Sequence, residues 1–114
     1  MKRLALGVLL LATLPAQAHD DPHGYPTVAR ADYVLGCMAA NGNTRLALER
    51  CACSIDTIAE QLPFASYEAA DTVLRMQAGN LGERGAEFRD PPQTRAAVEA
   101  LRRAQAEATL RCFP

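Results

Sequence analysis

Apolar residues recur at intervals of three and four along most of the chain beyond residue 27, a spacing that predicts amphipathic α-helices. The most regular segment covers 44–62 and stops before Pro63. Asn43 or Thr44 can cap its start, because a side-chain oxygen there accepts a hydrogen bond from the first turn. The apolar stripe of this second helix consists of Leu48, Cys51, Ala52, Ile55, Ile58, Ala59 and Leu62.

The segments on either side of it have the same periodicity. A first helix is predicted over 28–40, since Asn41 and Gly42 favour a helix end. A third helix is predicted over 66–78, with Ser66 as its N-cap and Gly79 as its stop. The stripe of the first helix consists of Ala29, Tyr33, Cys37 and Ala40, with Val34 and Met38 beside it.

A fourth helix is predicted over 91–111. Asp90 is a good N-cap, Pro91 suits the first helical position, and Gln93 completes a capping-box pattern. We expect the inward side to consist of Val98, Leu101, Ala104, Ala108 and Cys112. The outer side carries charges at three- and four-residue spacing, which is typical of a solvated surface: Arg95, Glu99, Arg102 and Arg103.

No alternating run of β-branched or aromatic residues in the sequence is long enough for a strand. The fold class is therefore all-α, a small four-helix bundle in one domain over 28–114. Three glycines within 79–89 predict the longest connection between helices there.

The first 18 residues have the pattern of a signal peptide. A positive start is followed by an apolar run, Leu4 to Leu14, and by small residues before a cleavage site at Ala18. The run is too short for the roughly 20 residues that cross a bilayer. We therefore expect a periplasmic or secreted protein that begins at His19, with residues 19–27 as a flexible arm and no transmembrane segment.

Removal of the signal peptide changes the charge balance. It leaves 96 of the 114 residues, with ten arginines, no lysine and 13 acidic side chains, a net charge of −3. A nucleic-acid protein needs a surplus of basic side chains, so this class is excluded. The absence of lysine also excludes Schiff-base and P-loop lysine chemistry.

The four cysteines predict two disulfides, because a small core in an oxidising compartment needs reinforcement. Cys51 and Cys53 are two apart on one helix and point to nearly opposite sides, so they should not bond each other. An antiparallel helix pair places Cys37 closer in height to Cys51 than to Cys53. This favours Cys37 with Cys51 and Cys53 with Cys112, and leaves Cys37 with Cys53 and Cys51 with Cys112 as the alternative.

The residues provide no catalytic constellation. Both histidines, His19 and His23, lie in the expected arm, so no base is available for a nucleophile in the helical region. Two groups of polar side chains have the spacing of solvated helix surfaces: Asp56 with Glu60, and Asp71 with Tyr67 and Arg75. We expect no cofactor, no catalytic site and no metal site.

Three stretches carry a resemblance to a known group of proteins. They are 33–42 (YVLGCMAANG), 51–56 (CACSID) and 110–113 (LRCF). In these the chain resembles small four-cysteine periplasmic proteins of proteobacteria, which are associated with the gene neighbourhoods of quinoprotein alcohol dehydrogenases and c-type cytochromes. The resemblance implies an accessory role in periplasmic oxidation and assigns no functional residue.

The leading hypothesis is a non-enzymatic periplasmic accessory module that binds another protein. Candidate contact residues are the large side chains near helix ends, for which ordinary core packing is the competing interpretation: Phe64, Tyr67, Leu81, Phe88 and Phe113. The alternative is a carrier of copper or of thiol redox equivalents. It would use His19 at the new N-terminus or the Cys51 and Cys53 pair.

Overall fold

The computed structural model describes residues 24–79 and 92–114. These residues form four α-helices and no strand: α1 (Thr27–Asn41), α2 (Arg45–Gln61), α3 (Phe64–Ala78) and α4 (Pro92–Cys112). The predicted all-α fold is confirmed. The expected signal peptide, residues 19–23 of the expected arm, and the connection 80–91 lie outside the described residues.

Three helices begin and end within one residue of their predicted limits, and the start of α2 shows why. The Thr44 hydroxyl accepts a hydrogen bond from the backbone N–H of Ala47 at 3.1 Å. Thr44 is therefore the N-cap, one of the two residues that the sequence offered for that position.

The start of α3 differs from the prediction. Ser66 does not cap it, because the helix already begins at Phe64. The carbonyl oxygen of Pro63 accepts the backbone N–H groups of Ser66 and Tyr67 at 3.0 and 3.1 Å, so the first turn needs no side-chain cap. Phe64 also packs against the Tyr25 ring, with 5.3 Å between ring centroids, which orders this first turn through tertiary contact.

Helix α2 is the central element, flanked by α1 and by α4. Helix α1 runs antiparallel to it, since the disulfide Cys37–Cys51 and the ion pair of Arg30 with Asp56 join the two helices at successive heights. Helix α3 packs against α4. All five inward residues predicted for α4 are buried: Val98, Leu101, Ala104, Ala108 and Cys112.

Contacts on two sides widen the buried surface of α2 beyond its apolar stripe. Ser54 and Thr57 are buried as well, and their hydroxyls donate to the backbone carbonyls of Arg50 and Cys53, one turn earlier. Leu48, which was predicted to face inward, is 38% exposed. It lies in the first turn of α2, next to the buried Ala47.

The packed region starts earlier than predicted. Residues up to 27 were expected to belong to a flexible arm, yet Tyr25 is a buried member of the core. Its ring centroid lies 5.3 Å from that of Phe64 and 5.3 Å from that of Tyr67. The boundary at Val28 was therefore wrong, because an aromatic cluster between distant segments leaves no trace in helical periodicity.

Candidate functional site

The four cysteines are the sequence-predicted site residues, and the structure joins them in two pairs. Cys37 bonds Cys51 and Cys53 bonds Cys112, the arrangement that helix geometry favoured. The first disulfide links α1 to α2, and the second links α2 to the last residue of α4. Among the described residues there is no free cysteine.

The side chains that were considered as partner contacts have intramolecular neighbours. Tyr67 is buried, so its assignment to a surface row with Asp71 and Arg75 was wrong. Phe64 packs against the core, and the guanidinium of Arg50 lies 5.7 Å from the ring centroid of Phe113. Core packing, the competing interpretation, therefore describes Phe64 and Tyr67, whereas Phe113 is half-buried beside Arg50. Leu81 and Phe88 lie outside the described residues.

The exposed carboxylates of α2 connect helices. Asp56 pairs with Arg30 of α1 at 2.6 Å, and Glu60 pairs with Arg111 of α4 at 2.8 Å. The hydrogen bond with Glu60 raises the pKa of the exposed Arg111 guanidinium. Such exposed pairs add little stability, but they join α2 to both of its neighbouring helices.

A polar contact also joins α1 to α3. The guanidinium of Arg75 pairs with Asp32 of α1 at 2.6 Å and with Asp71 of its own helix at 2.7 Å. Hydrogen bonds with Asp71 and then with Asp32 raise the pKa of Arg75. Beneath this contact, burial and then the charge of Asp71 raise the pKa of Tyr67, so the phenol stays neutral.

The outward side of α1 is the candidate interaction surface. Among the described residues, the large apolar side chains with more than two thirds of their surface exposed are Val28, Leu35 and Leu110. Two of the three lie on α1, at 74% for Val28 and 69% for Leu35. They are seven residues apart, two helical turns, and so face the same way.

Small residues complete this stripe. Ala31 lies between Val28 and Leu35, and Ala39 lies one turn after Leu35. Successive members of the stripe are three or four residues apart, and both alanines are exposed. We call Val28, Ala31, Leu35 and Ala39 the α1 outer face. Beside it, Gly36 faces open space, with no atom within 4 Å of where a Cβ would lie.

The α1 outer face has no unpaired charge. The only charged residues of α1 are Arg30 and Asp32, which bind Asp56 and Arg75. From Tyr33 to Thr44 the chain has no charged residue. The opposite side of α1 is held against the bundle by Tyr33, Val34 and the half-buried Cys37.

Val28 and Leu35 were not among the predicted contact residues. The sequence does contain an indication of this surface. Helix α1 has more apolar residues than one core-facing stripe needs, and most of the helix lies in the segment from Tyr33 to Thr44 that has no charged residue. A helix that packs on one side and meets water on the other normally carries charges on its outer side. Helix α4 follows that rule, with Arg95, Glu99, Arg102 and Arg103 all exposed.

The described residues hold no group of three or more histidine, cysteine or acidic side chains placed to bind a metal ion. Within the same ranges, no helix combines the length and apolarity that crossing a membrane requires.

Fold and disulfides define the class: a small all-α module with two disulfides. Comparison with known proteins finds no matching family model, no matching curated protein and no matching solved structure.

Proposed function

We propose that this chain is an exported, non-enzymatic accessory protein that acts by binding another protein chain through the α1 outer face. The observation that carries the proposal is the exposure of Val28 and Leu35 on a helix side without unpaired charge. A single exposed leucine is ordinary, but apolar residues aligned on one helix side mark a surface that another molecule covers.

Burial of this surface supplies part of the free energy that binding requires. Burial of a large aliphatic side chain contributes about 1.5–3 kcal/mol, so Val28 and Leu35 together offer about 3–6 kcal/mol. Because Asp32 and Arg30 are already paired within the bundle, contact at the outer face leaves no charge without a partner.

The scaffold holds α1 in place before any partner arrives. The helix is bonded to α2 through Cys37–Cys51 and is tied to α2 and α3 by the ion pairs of Arg30 and Asp32. A surface that is already ordered loses less conformational entropy on binding than a flexible segment does. This rigidity supports a role in binding.

Export is supported by the signal-peptide pattern of residues 1–18 and by the two disulfides, since disulfides persist in oxidising compartments. We place the protein in the periplasm on the strength of the resemblance described above, which also suggests that its partner belongs to periplasmic oxidation. The mass of the exported protein tests the first step, because cleavage after Ala18 predicts an N-terminus at His19.

The alternative role as a thiol-redox or copper carrier is less well supported. Cys51 and Cys53 would have to present thiolates together, yet each sulfur is bonded to a different distant cysteine. His19 lies outside the described residues.

A matched pair of variants tests the binding role. Leu35→Glu changes the α1 outer face, while Leu110→Glu changes a similarly exposed residue of α4, at 78%, that lies one turn from Glu107 and two turns from Arg103. In a separate pair of variants, a photo-crosslinking amino acid replaces Leu35 or Leu110. It would be activated by light in cells that export the tagged protein. We expect a protein adduct from position 35 and none from position 110.

Both variants should fold, because neither side chain is buried, and helical circular dichroism would confirm this. Equal adducts at both positions, or none at position 35, would refute the binding role of this face.

A further inference from the structure

We infer that the cleft between α1 and α4, over the middle of α2, binds a small neutral molecule of the monosaccharide class. The cleft has a volume of about 350 Å³, at the lower end of the roughly 300–1,000 Å³ of small-molecule sites. Ser54 of α2 forms its floor, and its walls include Tyr33 and Asn41 of α1 and Gln105 and Thr109 of α4. The cleft is separate from the α1 outer face, so this inference goes beyond the proposed function.

The lining of the cleft determines the charge of its ligand. None of the described residues that line it is charged, whereas the groove between α1 and α3 is lined by Asp32, Asp71 and Arg75. A charged ligand would lose water on entering the cleft without gaining an opposite charge, which costs free energy. The cleft therefore favours a neutral ligand.

The polar groups of the cleft suit a ligand with several hydroxyl groups. The Nδ2 group of Asn41 donates to the carbonyl oxygen of Cys37 at 2.9 Å, which leaves its Oδ1 atom as an acceptor. The Thr109 hydroxyl donates to the carbonyl oxygen of Gln105 at 2.9 Å, and its oxygen can still accept a hydrogen bond. The side-chain amide of Gln105 adds both donors and an acceptor. This mixture matches sugar hydroxyls, which donate and accept.

An aromatic ring at the cleft provides an apolar contact. Phe113, directly after α4, lines the cleft and is half-buried. The guanidinium of Arg50 lies 5.7 Å from the centroid of this ring, a contact that restrains the ring. The C–H groups of a sugar ring form a flat apolar face, which a linear polyol lacks. The combination of one ring with several hydrogen-bonding groups therefore favours a cyclic ligand.

The two disulfides fix both walls of the cleft to its floor helix. Cys37, in the α1 wall, bonds Cys51 of α2. Cys53 of α2 bonds Cys112, the last residue of α4. Walls that are covalently joined to the floor keep their positions before a ligand arrives, so binding costs less conformational entropy. The site is therefore preformed in the disulfide-bonded protein.

An NMR titration of the processed, disulfide-bonded chain tests the inference. D-glucose and D-galactose are the neutral probes, and D-glucuronate and D-galacturonate are their charged counterparts. We expect at least one neutral sugar to bind with a millimolar Kd, because the cleft offers few polar groups. Its uronate should bind at least about tenfold more weakly. The side-chain amide signals of Asn41 and Gln105 should shift on binding.

Substitutions separate the cleft from the rest of the surface. Gln105→Leu removes the amide from the α4 wall and should raise the Kd about tenfold. Thr109→Val changes an exposed position of the same wall, should leave the fold intact and should also weaken binding. Gln93→Leu, at an exposed glutamine of α4 outside the cleft, should bind like the parent.

Three results would overturn the inference: no shift with either neutral sugar up to about 100 mM, uronates that bind as tightly as the neutral sugars, or binding that both wall variants leave unchanged. Leu35→Glu should bind sugar like the parent, since Leu35 does not line the cleft. Loss of the partner contact at the α1 outer face and loss of sugar binding are therefore independent outcomes.

Discussion

The two disulfides close chain loops of very different length, and this difference predicts how unequally they stabilise the fold. Cys37 and Cys51 are 14 positions apart, whereas Cys53 and Cys112 are 59 apart. Restriction of the unfolded chain grows with the logarithm of loop length. The double substitution of Cys53 and Cys112 by alanine should therefore cost more than that of Cys37 and Cys51.

The chain-entropy relation gives the size of the effect. A closed loop of about 15 residues corresponds to about 3 kcal/mol, and one of about 60 residues to about 4 kcal/mol. The comparison is well matched, because each disulfide joins one buried cysteine, Cys51 or Cys112, to one half-buried cysteine. Packing losses are therefore similar, and a difference of about 1 kcal/mol remains for loop length.

Urea unfolding followed by circular dichroism measures both values. We expect the free energy of unfolding to fall by about 4 kcal/mol without Cys53–Cys112 and by about 3 kcal/mol without Cys37–Cys51. Loss of both, about 7 kcal/mol, equals the whole stability of many small domains, so the quadruple variant should be unfolded. A larger cost for removal of the short loop would refute the reasoning, because local packing would then outweigh chain entropy.

Two further predictions concern the core. Leu101→Ala, at a fully buried position, should lower the free energy of unfolding by about 2–5 kcal/mol. Leu110→Ala, at an exposed position, should change it by less than about 0.5 kcal/mol. Equal effects of the two substitutions in urea unfolding would contradict the assigned burial. Because the pKa of Tyr67 is raised in the folded state, the contribution of Tyr67 to stability should be constant below pH 10 and should become unfavourable as the pH rises above 10, where the tyrosine of the unfolded chain ionises first. Tyr67→Phe should reduce this alkaline loss, and an unchanged pH dependence would count against the assignment.

Features that depend on neighbouring residues in the chain were predictable. Thr44 caps α2, Pro63 separates α2 from α3, and the inward side of α4 was identified residue by residue. In each case the information lies within one or two helical turns. The disulfide pairing was only partly predictable, because helix geometry excluded one of the three pairings but could only favour one of the remaining two.

The candidate site was not predictable in the same way. Periodicity identifies the core-facing side of a helix when the other side is polar. Helix α1 has apolar residues around most of its circumference, so the stripe predicted through Tyr33 and Cys37 did not single out Leu35, on the other side, as an exposed contact residue.

What the sequence by itself determined is the all-α class, the limits of three of the four helices and the number of disulfides, because turn chemistry, helical spacing and cysteine count are local or compositional. Only the tertiary structure decided that Tyr25 belongs to the core and that Val28 and Leu35 face outward. The physical reason is that the bond of Cys37 to Cys51 and the ion pairs of Arg30 and Asp32 orient α1, and their partners come from distant parts of the chain.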